Sequence, residues 1–109
     1  IRYYKTYWLL LDRQKMKKTI ILIPVYNDWK SLEKLIGEIN QIIKLFNNIS
    51  FECVIINDAS TIEPPKINKP NKLISIEILN MKVNRGHARC NAFGIRHIFL
   101  NKEFDYLVL

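Results

Sequence analysis

The sequence contains few of the residues that build specialised scaffolds. Its 109 residues include two cysteines, three glycines and four prolines. Cys53 and Cys90 are far apart, with no Cys-x-x-Cys spacing and no histidine cluster beside them, which disfavours a disulfide framework and a zinc site. With 49% hydrophobic and 25% charged residues, the composition is typical of one small globular domain and excludes disordered and collagen-like chains.

Long hydrophobic runs are also missing from the N-terminal segment. Its apolar core, Tyr7–Leu11, is far shorter than the roughly 20 residues that cross a bilayer. No small-residue cleavage site of a secretory signal follows it. Met16 directly precedes the first strand-like run and resembles a natural start. We therefore expect residues 1–16 to be a basic, aromatic leader outside the fold, with few contacts to the sheet and with Trp8 outside its core.

The positive charge is concentrated in the same segment. The whole chain carries a net charge of +7, of which residues 1–19 contribute +5 and the remaining ninety residues +2. Because the body of the chain is nearly balanced, we expect no nucleic-acid partner. The two distant cysteines suit a reduced, intracellular chain, so the expected location is the cytoplasm. Peripheral association with the inner face of the membrane stays open as an alternative.

Apolar patterning predicts alternating strands and helices. Continuous apolar runs predict strands buried on both faces, while a third run with Ser75 and Glu77 on one face is typical of an edge strand. Two segments have helical spacing. The apolar positions of the second are Ala88, Ala92, Ile95 and Phe99. The predicted strands are Thr19–Ile23 (ended by Pro24), Phe51–Ile56, Leu73–Leu79 and Tyr106–Leu109, and the predicted helices are Leu32–Phe46 and His87–Leu100.

This order predicts an α/β fold: a Rossmann-like parallel sheet of order 3-2-1-4 with flanking helices. Ligands of such sheets bind beyond the carboxyl ends of the strands. The turns that follow the first three strands are therefore the segments in which to look for a site.

The first two turns each allow two interpretations. After the first strand, Tyr26 can offer a ring to a base and Asp28 can accept hydrogen bonds from a ribose or base, but Pro24, Tyr26 and Asp28 also suit a plain helix start. After the second strand, Asp58 is well placed to accept from a base N–H, and it can equally begin an Asx-turn.

The third turn has features of a phosphate site. Gly86 lets backbone approach a ligand, and the helix that it opens presents free N–H groups. Arg85 and Arg89 can pair with a diphosphate. The alternative is a polar helix start with exposed arginines. The segment is neither a Walker loop nor a Gly-x-Gly-x-x-Gly fingerprint, and His87 alone is a weak signal.

Taken together, the runs IPVYND, VIINDAS and NRGHARCNAFGI, in this order and spacing, resemble the family 2 glycosyltransferases, a large inverting group with the GT-A fold. The resemblance covers about residues 17–109 and implies a nucleotide-sugar-binding domain. It implies contacts of Pro24, Tyr26 and Asp28 with the nucleotide and of Asp58 with its base. From the third turn itself we expect Arg85 and Gly86 near the diphosphate of the nucleotide sugar. Asn57 departs from the family, which commonly has aspartate there, as does Asp28, where glutamate is more usual. The third run is similar to members that act on polyprenyl-phosphate or cell-envelope polysaccharide acceptors.

The resemblance also implies a divalent metal, Mg²⁺ or Mn²⁺, held in the family by an Asp-x-Asp motif after a strand like Tyr106–Leu109. That motif does not occur in this sequence, so we expect the metal-binding and base residues beyond Leu109. We therefore expect residues 17–109 to be the N-terminal half of a GT-A fold, truncated at its C-terminus and inactive alone.

Two other classes of protein remain as alternatives. A nucleotidyltransferase would have a glycine-rich, lysine-bearing loop after the first strand, and residues 24–31 have none. A non-catalytic module, such as a signalling receiver, would need an acidic pair there, where Asp28 stands alone.

Overall fold

The computed structural model describes residues 16–109. The expectations for the leader and for Trp8 concern residues 1–15, which lie outside that range. Six elements follow one another, with bounds close to those predicted. They are β1 (Lys17–Val25), α1 (Trp29–Ile43), β2 (Ile49–Asn57), β3 (Leu73–Asn80), α2 (His87–Asn101) and β4 (Tyr106–Val108).

The four strands of this part of the chain form one sheet in the order β3-β2-β1-β4. β1 pairs in parallel with β2 and β4, and β2 pairs in parallel with β3. The predicted fold class and strand order are confirmed. β3 is an edge strand, as the polar face of Ser75 and Glu77 predicts.

Each face of the sheet is covered by one helix, which explains why the central strands are apolar throughout. On β2, Cys53 and Ile55 pack into the core beneath α1, while Val54 and Ile56 pack into the core beneath α2. Successive strand residues point to opposite faces, so a strand covered on both sides needs no polar position. None of the helices within residues 16–109 is long and apolar enough to cross a bilayer.

The predicted end of the first strand at Pro24 is wrong, because β1 continues through Pro24 to Val25. The carbonyl of Val25 accepts a hydrogen bond from the amide of Asp58, on the β2 side, at 2.8 Å. By the alternation along a parallel strand, the backbone of Pro24 then faces the β4 side. β4 pairs with β1 only at residues 19–21, so the missing N–H of Pro24 removes no hydrogen bond from the sheet.

Candidate functional site

The carboxyl ends of the first three strands meet at one edge of the sheet. Val25 is in register with Asn57, and Asn57 is in register with Asn80. The turns after β1, β2 and β3 are therefore neighbours in space, as a ligand site at this edge requires.

The turn after β1 starts helix α1 and exposes an aromatic ring. Asp28 is the N-cap of the helix, and its carboxylate accepts a hydrogen bond from the amide of Ser31 at 3.3 Å. This hydrogen bond agrees with the interpretation of Asp28 as a helix start, and N-capping of this kind stabilises α1. Tyr26 is 43% exposed, so its side chain is accessible to a ligand.

Asn27, which is not among the predicted site residues, joins this turn to the loop after β2. Its backbone lies in the left-handed region at φ 61°. Its Oδ1 accepts hydrogen bonds from the backbone amides of Thr61 at 2.8 Å and Ile62 at 3.0 Å. Its backbone amide donates to Oγ of Ser60 at 2.9 Å. Asparagine is among the few residues that tolerate this backbone conformation, which is the only local signal that the sequence offers for the role.

Asp58 joins the second turn to the third. Its side chain is 1% exposed. Its Oδ1 accepts from the amide of Arg85 at 2.7 Å, and its Oδ2 accepts from the amide of Gly86 at 2.9 Å. The amide group of Asn84 donates to the Asp58 carbonyl at 3.3 Å. The carboxylate thus holds the backbone at the start of α2.

These contacts determine the ionisation of Asp58. Burial by itself raises the pKa of a carboxyl group, but hydrogen bonds from the Arg85 amide, the Cys90 side chain and the Gly86 amide, together with the nearby His87, hold the pKa of Asp58 below its usual value. Asp58 is therefore an anion at neutral pH, and its charge is satisfied by main-chain amides.

The start of α2 depends on glycine at position 86. Gly86 is the N-cap of the helix, with φ 85° and ψ 162°, a combination that is essentially restricted to glycine. Its carbonyl accepts from the Cys90 amide at 3.0 Å. Arg85 and Arg89 are exposed on either side of this start, so both side chains are accessible to an anion.

A cleft of about 390 Å³ opens between the first turn and the start of α2. Pro24, Tyr26 and Asp28 line it on one side, Ser31 lies beside them, and His87 stands at the α2 side, over apolar side chains that include Ile23, Leu32 and Leu35. The volume is within the range of small-molecule sites. Asp58, Arg85 and Gly86 are not among its lining residues, so three of the six predicted site residues share the cleft. Arg85 and Gly86 lie at the adjoining start of α2, and Asp58, in the turn after β2, accepts hydrogen bonds from their amides.

A second, wholly apolar groove of about 420 Å³ continues from this cleft. Ile23, Pro24 and Leu35 line both, and the groove runs on between α1 and the last residues, Val108 and Leu109. Because no polar side chain lines it, it offers no partner to a base, ribose or phosphate.

The two cysteines are not candidates for nucleophiles or ligands. Both are fully buried and free. Burial raises the pKa of Cys53 to about 11, and burial, with the hydrogen bond to Asp58 and its charge, raises the pKa of Cys90 to about 11. Both thiols are thus protonated at neutral pH, whereas the thiolate is the reactive form.

The described residues do not fit a divalent metal centre. Residues 16–109 contain no group of three His, Cys, Asp or Glu side chains placed to hold a metal ion. Hard cations such as Mg²⁺ take carboxylate oxygens, and the buried carboxylate of Asp58 is engaged by two amides.

Comparison with known proteins gives one result. The family model described as glycosyl transferase family 2 matches residues 20–99. This span contains the ends of β1, β2 and β3, all three turns and nearly all of α2. Searches of curated proteins and of solved structures find no match.

Proposed function

Because this chain belongs to glycosyl transferase family 2, and so has a role in glycosyl transfer, we propose that residues 17–109 bind the nucleoside-diphosphate sugar from which the sugar is transferred. The observation that carries the proposal is the cleft in which Pro24, Tyr26 and Asp28 face His87 across the strand ends. It combines an exposed aromatic ring, a carboxylate and a helix start, the groups that bind base, ribose and phosphate.

In the proposed complex, each group has a separate task. The ring of Tyr26 packs against the base, since aromatic faces stack on bases of any identity. Asp28 accepts from a ribose hydroxyl with the carboxylate that also caps α1. The side chain of Arg85 and the amides in the first turn of α2, after Gly86, approach the diphosphate, because a helix start favours anions.

For Asp58 we propose a positioning task. Its carboxylate holds the amides of Arg85 and Gly86, and so fixes the helix start that faces the diphosphate. The contact of Asp58 with the base, which the family resemblance implies, stays a prediction. Such a contact would require the carboxylate to exchange at least one of these two hydrogen bonds.

The proposed reaction is an inverting displacement. An acceptor hydroxyl or a polyprenyl phosphate attacks the anomeric carbon of the sugar, and the nucleoside diphosphate leaves from the opposite face. The acceptors that we propose belong to cell-envelope polysaccharide synthesis, with the parent enzyme in the cytoplasm at the membrane face. The metal carboxylates and the base are proposed to lie outside these 109 residues, since residues 16–109 supply no metal-ligand set.

The proposal is tested by titrating the chain with uridine, guanosine and adenosine diphosphate while amide NMR signals are recorded. We expect the amide signals of residues 25–31 and 85–89 to shift. Tyr26→Ala should weaken binding by about tenfold, as expected for loss of one stacked ring. Tyr106→Ala is the matched control, because Tyr106 is an exposed tyrosine on β4. Equal losses in the two variants, or shifts confined to other segments, would contradict the proposal.

A further inference from the structure

The outer face of α2 has an unusual composition for a helix side exposed to solvent. Cys90, Gly94 and Ile98 form the buried stripe that packs on the sheet. On the opposite side, Phe93, Phe99 and Leu100 are 44%, 66% and 71% exposed. Three large apolar side chains are thus accessible on this side of the helix. The rings of Phe99 and Phe104 pack edge to face, with their centroids 5.1 Å apart.

The charges on this face have one sign. Arg89 and Arg96 are exposed, and helical spacing places them between Phe93 and Leu100 on one flank and Phe99 on the other. The helix contains no aspartate or glutamate. Glu77 of β3 approaches α2 from the sheet side, where its carboxylate meets Nε2 of His97 at 3.0 Å and Nζ of Lys102 at 3.8 Å. The outer face is therefore both apolar and cationic.

We propose that this face of α2, formed by Arg89, Phe93, Arg96, Phe99 and Leu100, binds the surface of an anionic lipid bilayer. A helix with apolar and basic side chains together lies in the interface, with its apolar groups in the boundary between headgroups and acyl chains. Long arginine side chains bury their methylene stems there and keep the guanidinium at the lipid phosphates. Each such cation near an anionic leaflet strengthens binding.

The same features disfavour other occupants. In a two-fold contact between two copies through this face, Arg89 and Arg96 would lie opposite the arginines of the other copy, and like charges repel. A nucleic acid is held by many phosphate contacts, whereas two arginines stand on this face beside three large apolar side chains. An anionic bilayer satisfies both the charge and the apolar surface.

The inference deepens the proposed function, which already places the parent enzyme at the membrane face, because it names the surface that contacts the bilayer. Its evidence is the surface of α2, so vesicle binding tests it separately from nucleotide binding. The two are linked by position. The helix begins at His87, which lines the cleft at the strand ends. A chain bound through α2 would hold that cleft close to the membrane, which is where an acceptor carried by a lipid is found.

The test is co-sedimentation of the full 109-residue chain with vesicles of phosphatidylcholine alone or mixed with phosphatidylglycerol. We expect binding to the mixed vesicles, and binding about 30-fold weaker for Arg89→Gln/Arg96→Gln, since each arginine near an anionic surface contributes on the order of 1 kcal/mol. Phe93→Ser/Leu100→Ser should also weaken binding, by tenfold or more. Arg89→Lys/Arg96→Lys keeps both charges and should bind like the parent chain.

The matched controls are Lys30→Gln/Lys34→Gln on α1 and Leu45→Ser, because these side chains are exposed away from α2. They should leave binding unchanged. Circular dichroism confirms that each variant is folded before it is compared. Equal binding by the α2 variants and the parent would overturn the proposal and assign any binding to another segment, including the basic residues 1–15. Variants that retain vesicle binding but lose binding to a single-stranded oligonucleotide would overturn it in favour of a nucleic acid.

Discussion

At the scale of single residues, the candidate site is organised by two side chains that hold backbone. Asn27 accepts hydrogen bonds from the amides of Thr61 and Ile62, and Asp58 accepts from those of Arg85 and Gly86. Together they connect the turns after β1, β2 and β3. The exposed side chains of Tyr26 and Arg85 therefore project from turns whose backbone is held by these hydrogen bonds.

Asp58 gives the first prediction at this scale. The pKa of Asp58 is lowered from an ordinary value of 3.8, so its ionised form stabilises the folded chain above about pH 4, and this stabilisation is lost as the pH falls through the lower pKa of the folded state. Asp58→Asn replaces an acceptor oxygen by an NH₂ group that faces an amide donor. We expect the free energy of unfolding to fall by about 1–3 kcal/mol at neutral pH.

Urea unfolding over a pH series measures this effect. The difference between the parent chain and Asp58→Asn should shrink as the pH falls below about 4. Glu103→Gln is the control, because Glu103 is an exposed carboxylate beyond the end of α2, and it should leave the free energy of unfolding at neutral pH nearly unchanged. A constant difference between parent and Asp58→Asn at every pH would show that the ionised carboxylate is not what stabilises the turn.

At the scale of elements, α2 approaches the sheet more closely than α1 does. Gly94 packs directly against the buried side chain of Leu22, and a Cβ at this position would overlap its methyl groups. In α1, the residues that face the sheet are large, such as Leu32 and Ile36. Gly37 lies on the exposed side of that helix, where a Cβ would meet no atom within 4 Å. The two helices therefore cover opposite faces of the sheet at different depths, and α2 depends on its small residues, Cys90 and Gly94.

The two helical glycines give a matched pair of substitutions. Gly37→Ala should raise the free energy of unfolding by about 0.5–1 kcal/mol, because alanine has the higher helix propensity. Gly94→Ala has the same propensity gain but overpacks Leu22, and we expect it to lower the free energy of unfolding by about 1 kcal/mol. Thermal or urea unfolding of both variants measures the contrast. Stabilisation by Gly94→Ala would mean that Leu22 can move aside at little cost.

At the scale of the whole molecule, the cleft at the strand ends lies in a chain whose residues 16–109 contain no metal-ligand set. The apolar groove beside Val108 and Leu109, both exposed, lies at the β4 edge of the sheet. An exposed apolar edge strand favours self-association. The cleft proposed to bind the donor and the exposed apolar edge of the sheet are therefore next to each other.

This arrangement gives the prediction for activity. The 109-residue chain alone should transfer no sugar from a nucleoside-diphosphate donor in the presence of Mg²⁺ or Mn²⁺. Residues 16–109 contain no ligand set for the metal that would stabilise the developing charge, and such stabilisation is usually the largest catalytic contribution. Its affinity for the nucleoside diphosphate should be no better than about millimolar, on the order of 4 kcal/mol. Donor turnover by this chain, abolished by Asp58→Ala, would contradict the assignment of catalytic groups outside it.

The fold could be predicted from the sequence because the signals that define it are local and periodic. The continuous apolar runs around Ile21 and Ile55 indicated strands covered on both faces, and Ser75 with Glu77 indicated the edge strand. The helical spacing of Ala88, Ala92, Ile95 and Phe99 indicated that α2 is a helix, but the structure exposes three of these four residues and half-buries Ile95. Together with the three turn motifs, these patterns were sufficient for the parallel order 3-2-1-4 and for the family.

The tertiary structure determines which groups that are far apart in the sequence contact each other. Helical spacing did not reveal that Cys90, Gly94 and Ile98 form the buried side of α2, because small residues mark a close approach only when the partner, Leu22, is in place. From the sequence, the carboxylate of Asp58 could contact a base or begin a turn. In the structure, it accepts hydrogen bonds from the amides of Arg85 and Gly86. A hydrogen bond between residues 27 positions apart leaves no periodic trace in the chain, so only the folded backbone selects the partner.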